Sequence, residues 1–285
     1  MKNKYLQILL MSLYSMSCIE VNNIITPGDR PVIEAYLAPG STVSMKVYTE
    51  IPYTSEDSAY SKPIEGLKIK ITGDDGLDIT LIEKEEGSYV STQRLGKAGT
   101  SYKMSFSHNG RTISAETTLP QAPENFKIDL TEISRIARDF SAGFTPGQGG
   151  PGGGFQQETN STINITWDNP DNVYHFVAAQ SIESNPTQIL IPPPSNGNFP
   201  ARPARRFNNQ PVLTNSSSIN GQSFEYFGRY AIILYRLNPD YAALYENTST
   251  TSQNIATPVS TITNGLGIFT GINADTLILN VKKMQ

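Results

Sequence analysis

The feature that most restricts this fold is a two-residue alternation of apolar and polar side chains, repeated in short segments that turn residues break apart. In residues 42–51, Val43, Met45, Val47 and Thr49 fall on one side and Ser44, Lys46 and Tyr48 on the other. Only an extended strand with one buried face places i and i+2 together in this way. PVIEAYL at 31–37 precedes it with a partial alternation through Val32, Ala35 and Leu37, and after a polar stretch at 52–63, Leu67, Ile69 and Ile71 alternate with Lys68 and Lys70. Ile79 and Leu81 follow, then SYVSTQRL, SYKMSFSHNG and RTISAETTL as three further strands. Pro39-Gly40, Gly73-Asp74-Asp75-Gly76, residues 83–87 and Asn109-Gly110 supply the turns. Roughly seven short strands at this spacing predict an immunoglobulin-like β-sandwich over residues 30–121, with no cysteine pair to staple its sheets.

Pro120 and Pro123 mark a boundary, and a second β-sandwich-like domain with long loops and one short helix is expected over residues 122–285. FKIDLTEISRI opens it as a linking strand. STINITWDNP puts Ile163, Ile165 and Trp167 on one face, which makes the single tryptophan a core plug between two sheets. YHFVAAQSI continues as a strand, FGRYAIILYRLN reads as a buried one, and TLILNVKK ends the chain as another. Asn238-Pro239 followed by Tyr241, Leu244 and Tyr245 at helical spacing predicts the helix. Two segments lack any pattern: a Gly-rich loop at 143–154 and a Pro/Asn-rich loop at 185–218. The first is no phosphate cradle, because Phe155, Gln156 and Gln157 stand where a P-loop needs lysine and a hydroxyl residue opening a helix. The second carries the one local basic cluster, Arg202, Arg205 and Arg206. With Tyr241 and Tyr245 these arginines are the candidate contact residues.

The amino-terminal end is of a different character. Lys2 and Lys4 precede an apolar stretch from Tyr5 to Tyr14, and the small residues Ser15 and Ser17 lead to Cys18. This is the layout of an export signal over residues 1–17, too short to span a bilayer. Cys18 is the only cysteine of the chain. It stands where lipoprotein processing leaves a new amino terminus, so lipidation of Cys18 is expected, with residues 18–29 as a tether. Ser15 occupies the position three before the cysteine where leucine is usual, a relaxed form of the lipobox. The 22 basic residues less Lys2 and Lys4 leave 20 against 26 acids, a net charge of −6, which gives nucleic-acid binding no electrostatic support.

No catalytic constellation can be assembled from the sequence. His108 and His175 are the only histidines and neither has a second ligand at metal spacing. No G-x-S-x-G turn occurs. Asp74, Asp75, Asp78, Glu83, Glu85 and Glu86 cluster about two turns, where carboxylates act as solvated caps, and the register of a calcium loop is missing. The expectation is a protein without catalytic residues, metal or cofactor.

Several segments together resemble a known family, the Bacteroidota outer-membrane lipoproteins grouped as domain of unknown function 4249. PVIEAYL resembles the family's opening strand, GSYVS at 87–91 and AGTSYKMSFSHNGRTISAETTLP at 98–120 its middle, and TNGLGIFTG at 263–271 its closing motif. YRLNPDYAALYE followed by Pro258 keeps the same order. The resemblance implies an outer-membrane lipoprotein, facing either side, with an immunoglobulin-like domain and a second β-rich domain, often encoded near a TonB-dependent receptor. It carries over no catalytic residues. The expected function is therefore that of a non-enzymatic accessory to a TonB-dependent β-barrel transporter in nutrient uptake; the alternative is a stand-alone adhesion or glycan-binding lipoprotein.

Overall fold

Alternation becomes strand where one face of a segment can be buried, and here the buried faces gather into two cores. The computed structural model describes residues 30–51, 61–139, 161–191, 210–246 and 260–284. In chain order its strands are β1 (Pro31–Leu37), β2 (Thr42–Thr49), β3 (Lys70–Gly73), β4 (Asp78–Thr80), β5 (Ile82–Glu85), β6 (Ser88–Arg94), β7 (Ser101–His108), β8 (Arg111–Thr118), β9 (Glu124–Ile128), β10 (Glu132–Arg135), β11 (Arg138–Asp139), β12 (Thr162–Asp168), β13 (Tyr174–Ser181), β14 (Leu190–Ile191), β15 (Ser216–Asn220), β16 (Gly228–Leu237) and β17 (Leu266–Lys283). One α-helix, α1 (Pro239–Glu246), lies between β16 and β17. The protein is all-β, and no helix among the described residues is long and apolar enough to cross a membrane.

The first eight strands form two sheets in the orders β1-β2-β6-β5 and β4-β3-β7-β8. Lettered A, B, C, C′, D, E, F and G along the chain, these are the A-B-E-D and C′-C-F-G sheets of an immunoglobulin-like sandwich. Ile33, Ala35 and Leu37 of β1 meet Val43, Met45 and Val47 of β2 across from Ile71, Met104 and Ile113, all fully or almost fully buried. The alternation at Ile79 and Leu81 reads as one strand followed by a turn at 83–87, but the chain changes sheets there. The Leu81 N–H still bonds to Ile69 O on the β3 side, while from Ile82 onward the chain pairs with β6. Tyr102, at the start of β7, accepts a hydrogen bond from Gly96 N–H at 2.7 Å and donates to Asp75 Oδ2 at 2.6 Å. This bond back to the chain six residues upstream is the tyrosine corner of such sandwiches. Burial and the Asp75 bond push the Tyr102 hydroxyl up to about 12, and the same bond holds Asp75 below its usual range.

The sequence division at residue 122 needs one correction. TNGLGIFTG falls on the second-domain side of that boundary, yet its Phe269, with the preceding Ile262, lies in the first core, and Leu266 to Gly271 pair in parallel with β1 from Val32 to Leu37. Gly267 makes this approach possible: its φ is +97°, and a Cβ there would collide with the Ile33 carbonyl oxygen. The strand does not stop at Gly271. It continues for a total of 18 residues, and from Ile272 to Val281 it pairs antiparallel with β16. The motif and TLILNVKK are thus one strand, shared by both sandwiches, in a continuous sheet of order β13-β16-β17-β1-β2-β6-β5.

The second core lies between β13, β16, β10 and the far half of β17 on one side and the sheet β15-β12-β9 on the other. Ile163, Ile165 and Trp167 of β12 pack there with Val177, Ile232, Leu234, Leu279 and Val281. FKIDLTEISRI is not one linking strand but two, β9 and β10, which join opposite sheets and contribute Phe126 and Ile133 to this core. The Pro/Asn-rich loop is also shorter than 185–218. Gln188 bridges to Tyr226, β14 pairs with β11, Val212 bridges to His175 and β15 begins at Ser216, because backbone groups beside a buried sheet must find partners.

Candidate contact surface at the sheet junction

Of the candidate contact residues, Tyr241 and Tyr245 lie on α1; Cys18, Arg202, Arg205, Arg206 and the Gly-rich loop at 143–154 lie outside the described residues. Helix α1 forms where expected. Pro239 supplies the first helical position without needing an N–H partner, and the side chain of Asp240 accepts from Tyr241 N–H at 2.9 Å. The same Asp240 oxygen accepts from Thr270 Oγ1 at 2.7 Å, which ties the helix start to β17 in the stretch beside β1. Ala242 is buried beneath the helix. Asn238 Nδ2 donates to Thr117 Oγ1 and Thr118 O of β8, and Asn273 Nδ2 donates to Pro120 O. The helix and the start of the second sandwich are therefore bound to the last strand of the first.

Over this junction runs a chain of aromatic rings. Tyr36 of β1 meets Tyr241 edge-on with centroids 5.9 Å apart, Tyr241 meets Tyr245 at 5.7 Å, Tyr245 meets Phe176 of β13 at 6.5 Å, and Phe176 meets Tyr235 of β16 at 6.2 Å. Tyr241 and Tyr245 are one helical turn apart and so share a face, with their hydroxyls 3.3 Å apart. Tyr36 points away from the first core because Ile33, Ala35 and Leu37 take the inward positions. It is 38% exposed, and Leu244 and Ile278 stand 36% and 42% exposed. Burial first, and for Tyr241 the hydrogen bond to Tyr245, raise the Tyr36 and Tyr241 hydroxyls above the ordinary tyrosine value. Both stay neutral at physiological pH. The surface offers ring faces, neutral hydroxyls and exposed aliphatic groups, the chemistry of contact and hydrogen bonding.

Sequence reading found two of these five rings. Tyr36 carried a signal of its own, an aromatic residue at an outward position of a strand; Phe176 and Tyr235 carried none, since only the pairing of β13 with β16 sets them opposite one another. Tyr48, on β2, is not part of the run.

Several titratable groups make packing contacts, hydrogen bonds or ion pairs within the fold. His175 is 1% exposed and packs against Trp167 with centroids 5.4 Å apart. Its Nδ1 lies 3.1 Å from Val173 O, which fixes that nitrogen as the donor, while Nε2 and Trp167 Nε1 have no partner among the described residues. Burial, and the nearby Arg236 charge in smaller part, lower the His175 pKa. His108 sits at the β7–β8 turn, remote in the fold from His175. Glu83 accepts from the N–H groups of Gly66 and Gly87, Asp74 from Ser101 N–H, and Asp78 pairs with Lys70. Among the described residues no three side chains of His, Cys, Asp and Glu converge. A cleft of about 380 Å³ opens beside a β-bulge where Asn125 has a φ of +49°, lined by Asn125, Lys127, Thr166, Asp168, Asn215 and Ser216. It is an open polar groove on the outer side of the three-stranded sheet.

A family model described as domain of unknown function DUF4249 matches residues 19–278. No curated protein matches the chain. Among solved structures, the central fibronectin-III array of RIM-binding protein is similar at 10% identity over 73% of this chain; the chain spans 64% of that structure, and the TM-score of 0.18 is too low to bear on the fold.

Proposed function

Because this chain belongs to the DUF4249 family, we propose that it is a non-enzymatic outer-membrane lipoprotein, attached through Cys18, that serves as an accessory to a TonB-dependent transporter in nutrient uptake. The observation that carries this reading is the aromatic run from Tyr36 to Tyr235, set across a junction that hydrogen bonds from Asn238, Asn273 and Thr270 tie together. Partly exposed rings on a hydrogen-bonded β scaffold suit the docking of a partner protein, since they present large contact area at little cost in side-chain entropy. An outer-membrane β-barrel receptor is the partner this reading names, and the lipid anchor keeps the two in one membrane.

The test is affinity purification of the chain from detergent-solubilised native membranes, with wild type beside Tyr36→Ala and Leu244→Asp. Co-purification of a large β-barrel receptor with wild type, weakened in both variants, supports the reading. Wild type that brings down no such receptor yet binds on a glycan array points to a stand-alone adhesion or glycan-binding lipoprotein. Palmitate labelling in wild type and Cys18→Ala tests the anchor: label retained by the variant removes it.

A further inference from the structure

We infer that the membrane-attached chain holds the outer pole of its first sandwich against the lipid leaflet and carries its second sandwich away from it. The inference rests on reading Cys18 as the point of lipid attachment. Arg30 opens the described chain immediately before β1, and its surroundings form one pole of the molecule. Glu50 N–H bonds to Arg30 O at 3.2 Å, the Glu50 carboxylate pairs with the Arg30 guanidinium, and Ile51 stands beside them 48% exposed. From this pole β1 runs parallel to Leu266–Gly271, so the direction leading away from Arg30 is the one in which β17 continues into the second sandwich. The tether and the second sandwich therefore leave the shared strand at opposite ends. The far end is marked by Lys283 and by Ile182, whose N–H bonds to the carbonyl of Arg229, itself paired with Asn280 of β17.

Lengths decide which pole the leaflet can reach. From Leu266 to Lys283 the strand extends on the order of 55 Å at about 3.3 Å per residue. The chain from Cys18 to Arg30, even fully extended, spans at most about 43 Å. A leaflet under the far pole, with Arg30 pointing outward, requires the tether to run back over the whole strand, and it is too short. A molecule lying flat on its aromatic face is also disfavoured. Glu34 and Lys46 stand exposed and directly opposite one another on that face, and pressing them into a leaflet strips water from both charges. Standing on the Arg30 pole leaves them solvated.

The experiment places one fluorophore at each pole of the full chain, through Ile51→Cys or Ile182→Cys; both positions are exposed, so neither change disturbs a core. The proteins are reconstituted into phosphatidylethanolamine and phosphatidylglycerol vesicles that contain a headgroup-labelled acceptor lipid. Cys18 is the only native cysteine and a lipid thioether removes it from labelling. Energy transfer several-fold stronger from position 51 than from position 182 is expected. Equal transfer from the two positions, or stronger transfer from position 182, overturns the orientation alone. Thiol label taken up by the wild-type chain at Cys18 overturns the anchor and the orientation together, so the two failures are told apart.

Discussion

In the first sandwich most neighbouring strands are joined by turns as short as Asn109-Gly110, where both residues have positive φ and the strands on either side pair residue for residue. In the second, partners come from far apart along the chain: β10 pairs with β17 and β9 with β12 across a long intervening segment. The two cores nonetheless share β17, which carries Phe269 into the first and Leu279 and Val281 into the second. The difference shows that neighbouring sandwiches need not be independent units. The one with more local pairing still depends on a strand made last, and the one with remote pairing is anchored by that same strand. Trp167, the only tryptophan, lies in the second core, so its fluorescence reports whether damage to the first core is felt across the shared strand.

The largest expected effect is that of Phe269→Ala, which empties a fully buried site of the first core and should cost about 3–5 kcal/mol. In a denaturant titration, Trp167 fluorescence and far-ultraviolet circular dichroism should shift to the same lower midpoint. A Trp167 midpoint that stays in place while the dichroism splits into two steps breaks the comparison, because the sandwiches would then unfold separately. Tyr102→Phe comes next. It removes the bonds to Asp75 and Gly96 N–H and should cost about 1–3 kcal/mol, again read at Trp167 if the strand couples the cores.

The third prediction belongs to the second core. His175 has a folded pKa below its ordinary 6.5, so the unfolded chain binds the proton more readily than the folded one. The stability that this neutral histidine permits is fully present above about pH 6.5 and is lost as pH falls toward the folded pKa. His175→Gln should flatten that part of the stability profile between pH 7 and pH 5; an unchanged slope would assign it to other groups. The smallest effect is expected of Lys282→Ala, which breaks an exposed ion pair with Glu132 at the β10–β17 edge and should change stability by less than about 1 kcal/mol. A larger loss in the same titration would mean that this edge contributes to holding the second sandwich together beyond an exposed ion pair.

Much of the first sandwich was legible because its information is local. Val43, Met45 and Val47 face inward as their spacing requires, and helix α1 starts at Pro239 as Asn238-Pro239 predicts. The contact surface was half legible. Tyr241 and Tyr245 announce themselves by helical spacing, whereas their meeting with Tyr36, Phe176 and Tyr235 depends on which strands lie side by side.

The sequence by itself determined the all-β class, the inward faces of the early strands, the turns and the one helix, since each follows from side-chain period and backbone preference within a few residues. Only the tertiary structure decided that Leu266 to Lys283 is one strand serving two cores, that FKIDLTEISRI divides between two sheets and that five aromatic rings line up across the junction. Strand pairing is chosen by the burial of whole faces against partners distant in the chain, and a period-two pattern says which side of a strand is apolar without saying what will cover it.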